Sequence, residues 1–158
     1  MKNSLQTYLG AWAGVIPSKD NSSSIEQRAY RLYYLGLESF DYDDIRFMIG
    51  QRLGLKLLVP IAIDLLEKEP LLEANYYEGD LLSAVLKLPE NFWNYQPMLK
   101  DRVSTLLESN MILIEQSLDL RMEADRELKK LVEEFKEKLS FKEGFIRKLL
   151  FSSSYFYS

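Results

Sequence analysis

The 158-residue chain contains neither cysteine nor histidine. This removes thiolate nucleophiles, disulfides, zinc sites of the usual Cys/His kind and the one side chain whose ordinary pKa lies near neutrality. Catalysis would have to rest on a carboxylate pair, on a Lys or Tyr base, or on carboxylates holding a hard cation such as magnesium. No convergent polar motif supplies such a set, so no catalytic residue, metal ligand or cofactor site is expected. Long apolar runs are also missing. The best candidate, around Leu53 to Leu66, is interrupted by Lys56, Pro60 and Asp64 and falls short of a bilayer span. The opening MKNSLQTYLG holds one Lys and no continuous apolar stretch, unlike a secretory signal. A cytoplasmic protein is expected. With only 7 glycines and 5 prolines, there is little to interrupt helices.

Hydrophobic residues make up 47% of the chain, enough for one sizeable core, so residues 1–158 are expected to form a single domain. No stretch alternates with period 2 and no segment repeats, which predicts an all-α fold, a compact bundle of about six to seven helices. The polar loop PSKDNSSS supplies N-caps for a helix over about Ile25 to Tyr34. Asp41 reads as the next N-cap, with Asp44 at the third helical position and Phe40 and Ile45 placed as a hydrophobic staple. That helix is expected to run to Leu53 and stop at a left-handed Gly54. A central helix over about Leu55 to Lys68 would present Leu57, Leu58, Ile61, Ala62, Leu65 and Leu66 on one face. Pro60 should kink it or delay its first turn. Asp80 reads as the cap of a helix over Leu81 to Lys87, followed by a turn carrying Phe92 and Trp93 as core residues.

Two longer helices are predicted over about Met98 to Leu118 and Met122 to Leu139. The second sets Asp125 with Lys129 and Glu134 with Lys138 four apart on a solvated face. Ser140 and Glu143 form a capping-box pattern for a last helix to about Phe151, expected to pack back onto the bundle rather than lie on a membrane. The end, residues 152–158, is expected to be loosely ordered.

Charge is unevenly spread. Overall net charge is −4, but eleven acids face five bases between Glu38 and Glu90, a local net of −6. An acidic middle suits a basic partner, although several of these acids also read as helix caps or solvated groups. Within it, Tyr76 and Tyr77 stand among Glu73, Glu78 and Asp80. Tyrosine offers large contact area with little entropy to lose, so this loop reads as a protein-binding surface, with Asp41 and Asp43 as outlying members. A tyrosine pair closing the core is the competing reading, and one ring pointing inward with one outward reconciles the two. Gln51 is expected to hydrogen-bond a nearby backbone end. No Arg/Lys-rich stripe flanks the aromatic residues, which argues against direct nucleic-acid binding.

The runs IRFMIGQRLGL, LLVPIAIDLLEKEPL and YYEGDLLSAVLKLPENFW carry a resemblance as well as a pattern. Ile49 to Gln51 (IGQ), VPIA around Pro60, the YxGDLL of Tyr77, Gly79, Asp80, Leu81 and Leu82, and the downstream FW pair resemble the core of a family of contact-dependent growth inhibition immunity proteins. The resemblance covers about residues 44–93, with Glu78 where the family carries a proline before the glycine. It implies a bacterial cytoplasmic protein that binds and blocks, 1:1, the C-terminal toxin domain of a neighbouring cell's surface exoprotein. Such toxins are often nucleases, including RNases that cut tRNA. Glu73, Tyr76, Tyr77, Glu78, Asp80, Asp41 and Asp43 would then be the toxin-binding residues. A helical scaffold or adaptor without a toxin is the alternative reading, and a carboxylate or metal-dependent hydrolase a third.

Overall fold

The computed structural model describes residues 3–153, which carry nine α-helices and one 3₁₀ turn. No strand occurs among the described residues. One isolated bridge pairs Ser4 with Gly36, so the fold is all-α. By their contacts the residues fall into two units, 1–106 and 107–158.

The first unit begins with α1 (Leu5–Leu9) and α2 (Ser24–Tyr34), each opened by a serine capping box, from Ser4 and Ser23. The segment between them is held to α2 by aromatic contacts. Trp12 meets Tyr30 and Tyr33 edge-on at 5.6 and 5.2 Å, and the Tyr33 hydroxyl donates to the Gly10 carbonyl. A 3₁₀ turn, Leu37–Ser39, leads to α3 (Tyr42–Gly50). Its start is as the sequence predicts: Asp41 accepts from the Asp44 N–H at 2.7 Å, and Asp44 reaches back to the Asp41 N–H at 3.3 Å.

The end of α3 differs from expectation. It stops at Gly50, and Arg52, not Gly54, takes the left-handed conformation that closes it, at φ 59°. The Leu53 N–H returns to the Met48 carbonyl and the Arg52 N–H to the Ile49 carbonyl, the paired bonds of a Schellman end. Gly54 is also left-handed, at φ 65°, but it precedes α4 (Leu55–Lys68). A Cβ on Gly54 would lie 2.7 Å from Leu5 Cδ2, so glycine lets α1 approach this corner.

Helix α4 has the expected bounds and begins at Leu55, with Pro60 inside it, so its first turn is not delayed. Its buried face is Leu58, Val59, Ala62, Ile63 and Leu66, rotated from the expected stripe. Leu57, Ile61 and Leu65 are only half-buried. Val59 and Ile63 are buried because α4 packs against both α3 and α5 (Asp80–Leu86), which also pack on each other. Leu81 and Leu82 of α5 are fully buried in this core. Each buried leucine contributes about 1.5–3 kcal/mol relative to exposure.

Helix α6 (Glu90–Tyr95) buries Trp93 in the expected core role, while Phe92, edge-on to it at 5.1 Å, is only half-buried. It leads into α7 (Pro97–Ser109). Arg102 on α7 reaches both Asp64 and Glu67 of α4, at 2.7 Å each from its Nη2. Buried Lys100 reaches Glu90 of α6 at 3.2 Å.

The expected helix over residues 98–118 is divided. Asn110, at φ −117° and ψ 14° and of low helix propensity, separates α7 from α8 (Met111–Ser117). The two helices expected after residue 122 are one, α9 (Glu123–Ser153). Ser140 does not cap a new helix. Its hydroxyl donates to the Lys136 carbonyl at 3.3 Å, a bond that an uninterrupted helix accommodates. Leu128, Val132 and Phe135 are buried along α9. The i,i+4 ion pairs are Lys129 with Glu133 and Lys130 with Glu134, while Asp125 instead accepts from the Asp119 N–H. Residues 144–150 of α9 are exposed. The expectation for residues 154–158 lies outside the described residues. No helix among the described residues is long and apolar enough to cross a membrane.

Candidate protein-binding site

The loop between α4 and α5 is shaped by a single buried side chain. Asp80, with 2% of its side chain exposed, accepts the backbone N–H groups of Ala74, Asn75 and Tyr76 at 2.7, 3.0 and 2.9 Å. Charge-assisted bonds of this kind are stronger than neutral ones. Gly79, at φ 83°, turns the chain into α5, and its N–H closes the loop on the Leu71 carbonyl at 3.0 Å. Asp80 is thus the first residue of α5 and the anchor of the loop, not the expected N-cap. That position is Gly79. Being buried, Asp80 acts through the loop it holds.

Arg46 of α3 connects this anchor to the acids of α3. Its Nε donates to Asp43 at 2.9 Å and lies 3.8 Å from Asp80, and its guanidinium stacks over the Tyr76 ring at 4.5 Å. Asp43 also receives Arg28 of α2 at 2.9 Å, and Arg28 covers the Phe47 ring at 4.3 Å. Burial pushes the Asp43 carboxyl upward, but the hydrogen bonds and charges of Arg46 and Arg28 outweigh it and hold the group below the usual carboxylate range.

The site residues read from the sequence therefore divide. Tyr76 is 67% exposed and Tyr77 half-buried, so neither ring closes the core. Glu73 and Glu78 are exposed at the loop surface. Asp43 is joined to Tyr76 and Asp80 through Arg46, whereas Asp41 is exposed and occupied in capping α3. Gln51 is exposed, and its side chain makes no hydrogen bond among the described residues, contrary to expectation.

Sequence reading missed the basic side of the same place. A pocket of about 290 Å³ opens beside Tyr76 and Tyr77, lined also by Arg46, Arg52, Lys87 and Ser83. Arg46 lies on α3 and Ser83 on α5, and Arg52 and Lys87 follow the ends of those helices. The available signal was a run of non-apolar residues at a helix end, Gly50 to Arg52, beside the YxGDLL segment.

A profile of the family described as CDI immunity proteins matches residues 13–103, more than half of the chain and the whole of this site. The chain belongs to this family. No curated protein matches the immunity protein. Membership makes neutralisation of a toxin, through binding of a cognate toxin domain, its function in kind. The match begins well before and ends beyond the motifs that carry the resemblance in the sequence. It takes in the Trp12-contacting rings of α2 and the α7 ion pair with α4.

Proposed function

We propose that the immunity protein occludes the C-terminal toxin domain of a growth-inhibition exoprotein by stoichiometric 1:1 binding in the bacterial cytoplasm, without catalysis of its own. The observation that carries the reading is the preformed loop from Glu73 to Asp80. Its backbone is tied to a buried carboxylate while Tyr76, Glu73 and Glu78 face outward. A loop already ordered loses little entropy on binding, and a central tyrosine supplies contact area. The acidic stretch around it, net −6 between Glu38 and Glu90, suits a basic toxin. Nucleases carry positive surfaces for phosphate, so the toxin is read as a nuclease, with an RNase acting on tRNA the preferred form.

The test pairs the immunity protein with the toxin domain encoded immediately upstream. Tyr76→Ala should raise the dissociation rate at a cost on the order of 2 kcal/mol, and Glu73→Lys with Glu78→Lys should slow association and flatten its salt dependence. Unchanged affinity and salt response in variants that melt like wild type would move the interface away from this loop.

A further inference from the structure

We infer that the pocket beside Tyr76 and Tyr77 receives a carboxylate from the toxin, the side chain of one Asp or Glu projecting from its contact surface. This deepens the reading above and rests on it. Three basic side chains, Arg46, Arg52 and Lys87, line the pocket against one carboxylate, Asp80. Asp80 is already engaged by three backbone N–H groups, and Arg46 is drawn to Asp43 and over the Tyr76 ring. Arg52 has no carboxylate partner among the described residues. On the same pocket wall, Ser83 is 2% exposed, and its hydroxyl has no hydrogen-bond partner among the described residues. A buried hydroxyl left unsatisfied in a pocket wall is a donor in need of an acceptor.

The backbone adds an independent pointer. Arg52 occupies the left-handed position of the α3 end, φ 59°, where glycine is the residue of lowest cost. A non-glycine residue at that place carries backbone strain, and strain of this kind concentrates at functional sites. Arg52 also borders a second, wider groove of about 710 Å³ that includes Lys56, Phe92 and Tyr95, so the surface open to a partner continues past it. A monoanion fits better than a dianionic phosphate, because Asp80 stands on the same wall. The result is a basic recess within an acidic, tyrosine-bearing surface. That alternation fixes register and rejects partners that present a cation at this point.

The experiment measures the affinity of the upstream-encoded toxin domain, with thermal melts alongside, for wild type, Arg52→Gly, Arg52→Glu and Ser83→Ala. Arg52→Gly and Ser83→Ala should melt at or above the wild-type temperature, because one relieves a left-handed side chain and the other deletes an unsatisfied hydroxyl. Both should nevertheless weaken toxin binding, Arg52→Gly by about tenfold or more and Arg52→Glu further. Replacing the toxin's surface Asp and Glu residues one at a time by Asn or Gln should find one whose effect disappears in the Arg52→Gly background. Wild-type affinity in all three variants, or no coupled toxin carboxylate, overturns the pocket assignment while leaving toxin binding intact. A wild-type protein that fails to bind the toxin overturns the functional reading, and the pocket assignment with it. Inorganic phosphate that raises the melting temperature of wild type but not of Arg52→Gly, with toxin affinity unaffected by the variant, also overturns it in favour of a small-anion site.

Discussion

Replacing Asp80 by Asn tests whether one buried carboxylate shapes the binding loop. The wild-type side chain accepts three N–H groups, Ala74 on one oxygen and Asn75 and Tyr76 on the other. An amide keeps one oxygen and points an NH₂ group where the second stood. If its oxygen stays with Asn75 and Tyr76, the Ala74 N–H faces a donor, and in the flipped orientation two N–H groups do. A hydrogen bond to a charged group contributes about 1.5–3 kcal/mol, and an abandoned buried donor costs about 1–3 kcal/mol. Because the favourable flip loses only one bond and weakens two others, the net should be about 3 kcal/mol. A domain of ordinary stability, about 5–15 kcal/mol, survives that loss, so the variant should still fold. Urea denaturation followed by circular dichroism measures the energy, and amide hydrogen exchange at residues 74–76 reports the loop. A loss below about 0.5 kcal/mol with unchanged exchange at those amides would refute the anchoring role.

Gly54→Ala should destabilise the protein by about 2 kcal/mol in a thermal or chemical melt, combining the left-handed backbone cost with displacement of the Leu5 side chain. For pH, the folded Asp43 carboxyl lies below its ordinary value near 3.8, so its ion pairs stabilise the fold above that value and are lost as pH falls through the depressed one. The melting temperature should drop as the pH is lowered from about 4 toward 2, and Asp43→Asn should make that drop shallower. Glu67, held low by Arg102, acts in the same direction, more weakly for its exposure.

Local chemistry was readable at several places where neighbours in sequence decide it. The Asp41 and Asp44 capping box and the bounds of α4 follow from the spacing of caps and apolar residues. Much of what escaped depended on partners distant in the chain. The buried face of α4 is turned toward Val59 and Ile63 because two helices cover it. Asp80 stands where a cap is plausible, yet its carboxylate points back to the loop before Gly79. Arg52 is the clearest miss: two residues from a glycine, it takes the conformation that local propensity assigns to glycine. Likewise, the basic lining of the pocket joins Arg46 and Arg52 to Lys87, more than thirty residues apart, and no spacing rule brings them together.

Asp80 grips the loop by main-chain N–H groups at positions 74, 75 and 76, and every amino acid except proline supplies one. The shape of the loop is therefore indifferent to which side chains it displays. A lineage could exchange Tyr76 and its neighbours, altering the partner it meets, while Gly79, Asp80 and the leucines behind them keep the same support. Innovation at the tip and constancy at the base are assigned to different residues, which lets recognition drift without first passing through an unfolded ancestor.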